Sequence, residues 1–100
     1  MDKVILPEEN GEYKFILVYV EGQLYVRFGS KDGYHNDILD KFIEKSKLSK
    51  GDLQVSGGYC TVNKEEKTLK FHGESSAYGP ADPMNLMDAL KDLDYACLFM

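Results

Sequence analysis

The stretch Tyr13-Lys14-Phe15-Ile16-Leu17-Val18-Tyr19-Val20 constrains this chain more than any other. It is rich in β-branched and aromatic residues, and both alternating sets of side chains are apolar after Lys14 at its start. A strand with two apolar faces belongs in the interior of a sheet. Glu21-Gly22 follows, then a second strand-like run from Gln23 to Phe28, which predicts a short hairpin with glycine supplying a positive φ. Antiparallel return would bring Arg27 back towards Lys14 at one end of the sheet.

The other segments read as partners for that hairpin. Val4-Ile5-Leu6 before Pro7 predicts a short edge strand, and Asn10-Gly11 a turn. Asp52 to Val55 predicts another strand, and Ser56-Gly57-Gly58 a bulge or tight connection. Tyr59 to Asn63 and Thr68 to His72 predict a hairpin around the charged tip Lys64-Glu65-Glu66-Lys67. Tyr95 to Met100 predicts a closing strand. Ile38, Leu39, Phe42 and Ile43 recur at helical spacing, with Asn36 or Asp37 capping or occupying the first turn and Gly51 as the stop. Asp82-Pro83 opens a second helix, with Leu86, Met87, Leu90 and Leu93 as its buried stripe. The fold class expected is α/β: one domain spanning residues 1–100, with a mixed central sheet of about six strands and two helices packed on it.

Composition removes several classes of function. The net charge of −5 argues against nucleic acid, whose phosphate backbone is bound by clustered Lys and Arg. The longest apolar run, Phe15 to Val20, is too short to span a membrane. The N-terminus lacks the basic and long apolar regions of a signal peptide, so the expected address is the cytoplasm. Cys60 and Cys97 give neither a disulfide framework nor a metal-ligand spacing, and both read as small buried hydrophobes. A cysteine-dependent phosphatase needs Cys-x5-Arg, and the position counted from Cys60 holds Glu66. A monomer is expected, since nothing in the chain argues for an obligate dimer.

His35 is the candidate reactive group. It stands where the polar loop Gly29 to Gly33 gives way to the first helix. Spacing alone favours a partly buried histidine that helps to cap that helix. The chemical reading rests on the positive end of a helix, which favours a neutral imidazole able to accept a proton or attack phosphorus. Ser75-Ser76-Ala77, ahead of Gly79-Pro80, offers hydroxyls and backbone N–H groups of the kind phosphoryl oxygens require. Read singly, Lys14 is a solvated strand end, Arg27 an ion-pair partner, and His72 part of a solvated strand face. Tyr34 and Tyr78 read as packing residues.

Taken together, several segments resemble the Janus/ocnus family. They are Leu6-Pro7, Gly11 to Leu17, Val26-Arg27, Tyr34-His35-Asn36-Asp37-Ile38-Leu39-Asp40-Lys41, Gly57-Gly58, Leu69 to Gly73, and Ser75-Ser76-Ala77-Tyr78-Gly79-Pro80-Ala81. The pieces Tyr34-His35-Asn36-Asp37-Ile38 and Ser75 to Ala81 are specific, and their joint occurrence more so. The resemblance implies a small α/β fold and metal-independent phosphohistidine phosphatase activity, with no cofactor. The implied partner is a phosphohistidine-containing protein or a phosphoramidate substrate. By resemblance, His35 falls on the catalytic histidine, Lys14 on the substrate-contacting lysine, and Arg27 on an arginine near the site. Ser75, Ser76 and Ala77 fall on the phosphate-binding loop. One position departs from the pattern: the family carries an arginine after its glycines, and this chain has Tyr59. Tyrosine cannot make a charged, bidentate contact with phosphate. A phospho-ligand binding module or a Janus-type regulatory protein therefore stands as the alternative.

Overall fold

In the computed structural model, which describes residues 1–48 and 52–100, five strands and two helices follow in the order β1 (Gly11–Val20), β2 (Gln23–Ser30), α1 (His35–Ser46), β3 (Gln54–Asn63), β4 (Thr68–His72), α2 (Pro83–Ala89) and β5 (Ala96–Phe99). The sheet order is β2-β1-β3-β4-β5. All neighbours are antiparallel except β4 and β5, whose parallel pairing uses α2 in the crossover. The sheet is mixed and the class α/β, as expected.

The strand with two apolar faces is an interior strand, and each face has its own helix. On one side Ile16, Val18 and Val20 pack with Ile38, Leu39 and Phe42 of α1. On the other, Phe15 and Leu17 join Val26, Cys60, Val62, Leu69 and Phe71 beneath Leu86 and Ala89 of α2 and Leu90 directly after it. Each such large side chain, fully buried, contributes about 1.5–3 kcal/mol, so β1 anchors both layers. The β1–β2 turn places Glu21 and Gly22 both at positive φ, 51° and 77°, the geometry that suits the twist of a two-residue hairpin.

Sequence and structure differ at identifiable places. Val4 makes only a single parallel bridge to Val26, so the expected N-terminal edge strand is not formed. The two runs on either side of Gly57-Gly58 are one strand, and the glycines are regular β positions opposite Ile16 and Phe15 rather than a bulge. Glycine is required there for space. A Cβ on Gly57 would stand 2.4 Å from the Phe15 carbonyl oxygen, and one on Gly58 would stand 2.8 Å from that of Gly73. Together these changes leave five strands.

Helix α1 starts at His35 with Tyr34 as its N-cap, and Asn36 and Asp37 fall in the first turn. The Asp37 carboxylate accepts the Tyr34 N–H at 3.2 Å. The helix ends at Ser46, where Lys47 turns left-handed at φ 59° and returns its N–H to Ile43; the predicted stop at Gly51 lies outside the described residues. In α2 the buried stripe is Leu86, Ala89 and Leu90, with Leu93 half-buried; Met87 is 57% exposed. The 3.6-residue repeat selects Ala89 and Leu90 after Leu86 and turns Met87 outward.

Candidate functional site

Alternation along β1 sets the site's floor. Lys14 lies two residues before Ile16 and so shares the α1 side of the sheet. It stands opposite Tyr59 of β3, and Tyr59 opposite His72 of β4, so the three cross the sheet in one row. The Lys14 Nζ donates to the Gly33 carbonyl, and it lies 5.7 Å from the Tyr34 ring centroid and 5.9 Å from that of Tyr59. Tyr34 is 74% exposed, so its ring borders the lysine instead of packing in a core. His72 is likewise more than a solvated strand residue: its ring stacks on Tyr59, and its Nε2 sits 3.2 Å from a Glu12 carboxylate oxygen.

His35, the first residue of α1, packs down onto β3 and is 6% exposed. Its Nε2 lies 2.9 Å from the carbonyl oxygen of Gly58. A carbonyl can only accept, so Nε2 carries a proton and a neutral ring keeps its lone pair on Nδ1. Among the described residues no buried side-chain nitrogen or oxygen lacks a partner. Nδ1 has no hydrogen-bond partner among the described residues and therefore keeps some contact with solvent. The ring meets Tyr59 edge-on, 84° between planes and 5.8 Å between centroids.

The loop after β4 completes this arrangement. β4 ends opposite Tyr59, and the loop then takes its place beside β3. Gly57 donates to Gly79 at 3.0 Å and accepts from the Ser75 N–H at 2.9 Å, while Gly79 donates to the Ser75 carbonyl at 2.8 Å. The buried Ser75 hydroxyl accepts the N–H groups of Ala77 and Tyr78 at 3.3 and 3.1 Å, leaving its own proton unused by either bond. The Tyr78 hydroxyl donates to Asn36 Oδ1 at 2.7 Å and ties the loop to the start of α1. Ser76 and Ala77 stand exposed at the tip. Fewer backbone donors point outward than the sequence suggested, because the Ala77 N–H is turned in towards Ser75.

Two consecutive glycines therefore join the parts: Gly57 holds the Ser75 loop and Gly58 holds His35. Lys14, His35 and the loop come together at one end of the sheet. Arg27 does not join them. It stands opposite Ile16, and its guanidinium leans over the Phe42 ring at 5.3 Å and donates to the carbonyls of Asp2, Lys3 and Val26. Burial lowers its pKa, with Asp2 acting in the opposite sense. In this structure Arg27 clamps the N-terminal segment onto β2.

The fold and site define a small α/β protein with a histidine held at a helix N-terminus against a glycine pair, a lysine beside it and a serine-led loop closing the end. The sequence model of the Janus/Ocnus family matches residues 3–97, and the chain belongs to that family. It is 33% identical over 86 residues to the sex-regulated protein janus-A of Drosophila pseudoobscura pseudoobscura. That match takes in 75% of this chain and 58% of janus-A, so the chain spans little more than half the length of that relative. No helix among the described residues is long and apolar enough to cross a membrane.

Proposed function

We propose that the protein removes phosphate from phosphohistidine carried by another protein, acting as a monomer in the cytoplasm. The observation that carries this reading is the bond from His35 to Gly58, which leaves the Nδ1 lone pair as the ring's acceptor at the end of the sheet shared with Lys14 and the Ser75 loop. The ammonium of Lys14 offsets charge on the phosphoryl oxygens and the exposed Ser76-Ala77 tip supplies hydrogen bonds, while the buried Ser75 hydroxyl holds the loop in shape. Water attacks phosphorus and passes a proton to Nδ1 of His35. The P–N bond breaks, its electron pair stays on the substrate imidazole, and that nitrogen takes up a proton as inorganic phosphate leaves. Positioned proton acceptors of this kind contribute roughly 10²–10⁴-fold in rate.

The test is His35→Ala, with folding verified by circular dichroism and phosphate release measured from a phosphohistidine peptide. Loss of release by about 10²-fold or more is expected. Wild-type turnover in the folded variant rejects the reading. A phosphoryl group trapped on His35 would make the histidine the nucleophile instead of the base.

Tyr59 favours a second reading, a module that binds a phosphorylated partner without turning it over. The row Lys14-Tyr59-His72 holds a single lysine where the family resemblance leads one to expect an arginine as well. Tight binding of a non-hydrolysable phosphohistidine analogue, together with no phosphate release, would select that reading.

A further inference from the structure

Tyr59 and His72 form a surface of their own beside the proposed phosphoryl site. They are cross-strand partners on β3 and β4, with ring planes 17° apart and centroids 5.8 Å apart. Neighbouring strands lie about 4.8 Å apart, so side chains directly opposite each other readily make such a pair. The stack is further oriented by Glu12. That residue is on β1, with β3 between it and β4, and its carboxylate oxygen reaches to 3.2 Å from His72 Nε2. The contact draws the His72 side chain across β3 towards β1.

The stack remains open to solvent. Tyr59 is half-buried, and the His72 and Glu12 side chains are 35% and 43% exposed. Tyr59 also touches both groups given roles in the proposed reaction, with Lys14 Nζ 5.9 Å from its centroid and the His35 ring edge-on at 5.8 Å. A phosphoryl group held by Lys14 and facing His35 therefore has a ledge next to it formed by the Tyr59 ring, with the His72 ring stacked behind it. A flat aromatic group lies well on such a ledge, and a flexible alkylamine has no π-face to offer it.

We propose that Tyr59 and His72 seat the departing imidazole of phosphohistidine, with Glu12 as a positioning residue. The chain then selects phosphoramidates whose nitrogen belongs to a flat aromatic ring over those built on an alkylamine. The inference rests on the phosphohistidine reading above and deepens it by naming the part of the surface that reads the amino acid.

The experiment compares kcat/KM for a phosphohistidine peptide, a phospholysine peptide of the same sequence, and phosphoramidate, whose leaving group is ammonia. Wild-type protein is expected to favour phosphohistidine over phospholysine by about tenfold or more, the range that apolar contacts alone provide. In His72→Ala the ratio of phosphohistidine to phosphoramidate kcat/KM falls about tenfold, chiefly through KM, and His72→Phe restores it because a flat ring returns. Glu12→Gln lowers the ratio less than His72→Ala does. An unchanged ratio in His72→Ala, or His72→Phe behaving as His72→Ala, overturns the ledge while leaving the phosphatase reading in place.

Absence of turnover of every substrate by the wild type defeats the phosphatase reading instead. NMR titration with a pyrazole-phosphonate analogue of phosphohistidine then decides the ledge. Shifts of the Tyr59 and His72 ring signals with the analogue, and not with inorganic phosphate, support it. No such shifts, or the same shifts with phosphate alone, overturn it.

Discussion

Gly57 and His35 are in close contact: a methyl group on the glycine would stand 3.1 Å from Cδ2 of the imidazole. The same methyl would meet the Phe15 carbonyl oxygen at 2.4 Å, and backbone cannot swing aside as a side chain can. Gly57→Ala should therefore destabilise the fold by about 3 kcal/mol, the upper end for overpacked sites. For a domain of this size that lowers the melting temperature by more than about 10 °C. Thermal unfolding followed by circular dichroism reads it directly, and an unchanged midpoint would mean that β3 relaxes freely at this point.

Tyr78→Phe removes one hydroxyl and with it the side-chain hydrogen bond that ties the Ser75 loop to Asn36 of α1. The expected loss of stability is about 1 kcal/mol, that of a single neutral hydrogen bond. Its local effect should exceed its global one, because the ring still packs against the α1 cluster. Amide exchange at Ala77 and Tyr78 should accelerate more than exchange in β1. Uniform acceleration across the protein would show that the loop is held mainly by its backbone bonds to Gly57.

Cys60 provides a pH prediction. Burial, with a smaller contribution from Cys97, pushes its thiol up from 9.0 to about 12. Between those values the unfolded chain releases the proton while the folded chain keeps it, so folding stability must decline as pH rises through that window. Below the lower value the two states bind the same proton and the effect vanishes. Urea unfolding at pH 8 and pH 10.5 should show a smaller loss for Cys60→Val than for the wild type, valine being close in size and unable to ionise. Equal losses in both proteins would assign the alkaline sensitivity to other groups.

The sheet was legible in the sequence to the extent that it depends on periodicity. Tyr13 to Val20 announced an interior strand through its two apolar faces, and the helices through Ile38, Leu39 and Phe42 and through Leu86 and Leu90. Gly57-Gly58 misled because glycine usually interrupts a strand, whereas here the demand comes from carbonyl oxygens on neighbouring chain segments. No local pattern encodes a neighbour that is distant in sequence. The same limit hid His72, whose alternation with Lys70 suggested solvent until register put it against Tyr59. It also hid the role of Arg27, which follows from where Asp2 and Lys3 lie. His35 and the Ser75 loop stood out by their chemistry and took their roles from the motif resemblance, whereas their convergence on one glycine pair arises from contacts between segments distant in sequence.

The parallel pairing of β4 with β5 has a kinetic consequence. Hairpins such as β1–β2 close over a few residues and form early, but a parallel neighbour must wait for an excursion out of the sheet and back. Here that excursion begins with the Ser75 loop, continues through α2 and returns at Ala96. Docking of the loop beside Gly57 and closure of the last strand lie on one continuous piece of chain, so they are expected late and together. Maturation of the site is thereby tied to closure of the last strand, and a chain still open at its C-terminal strand would carry His35 without the loop fastened beside it.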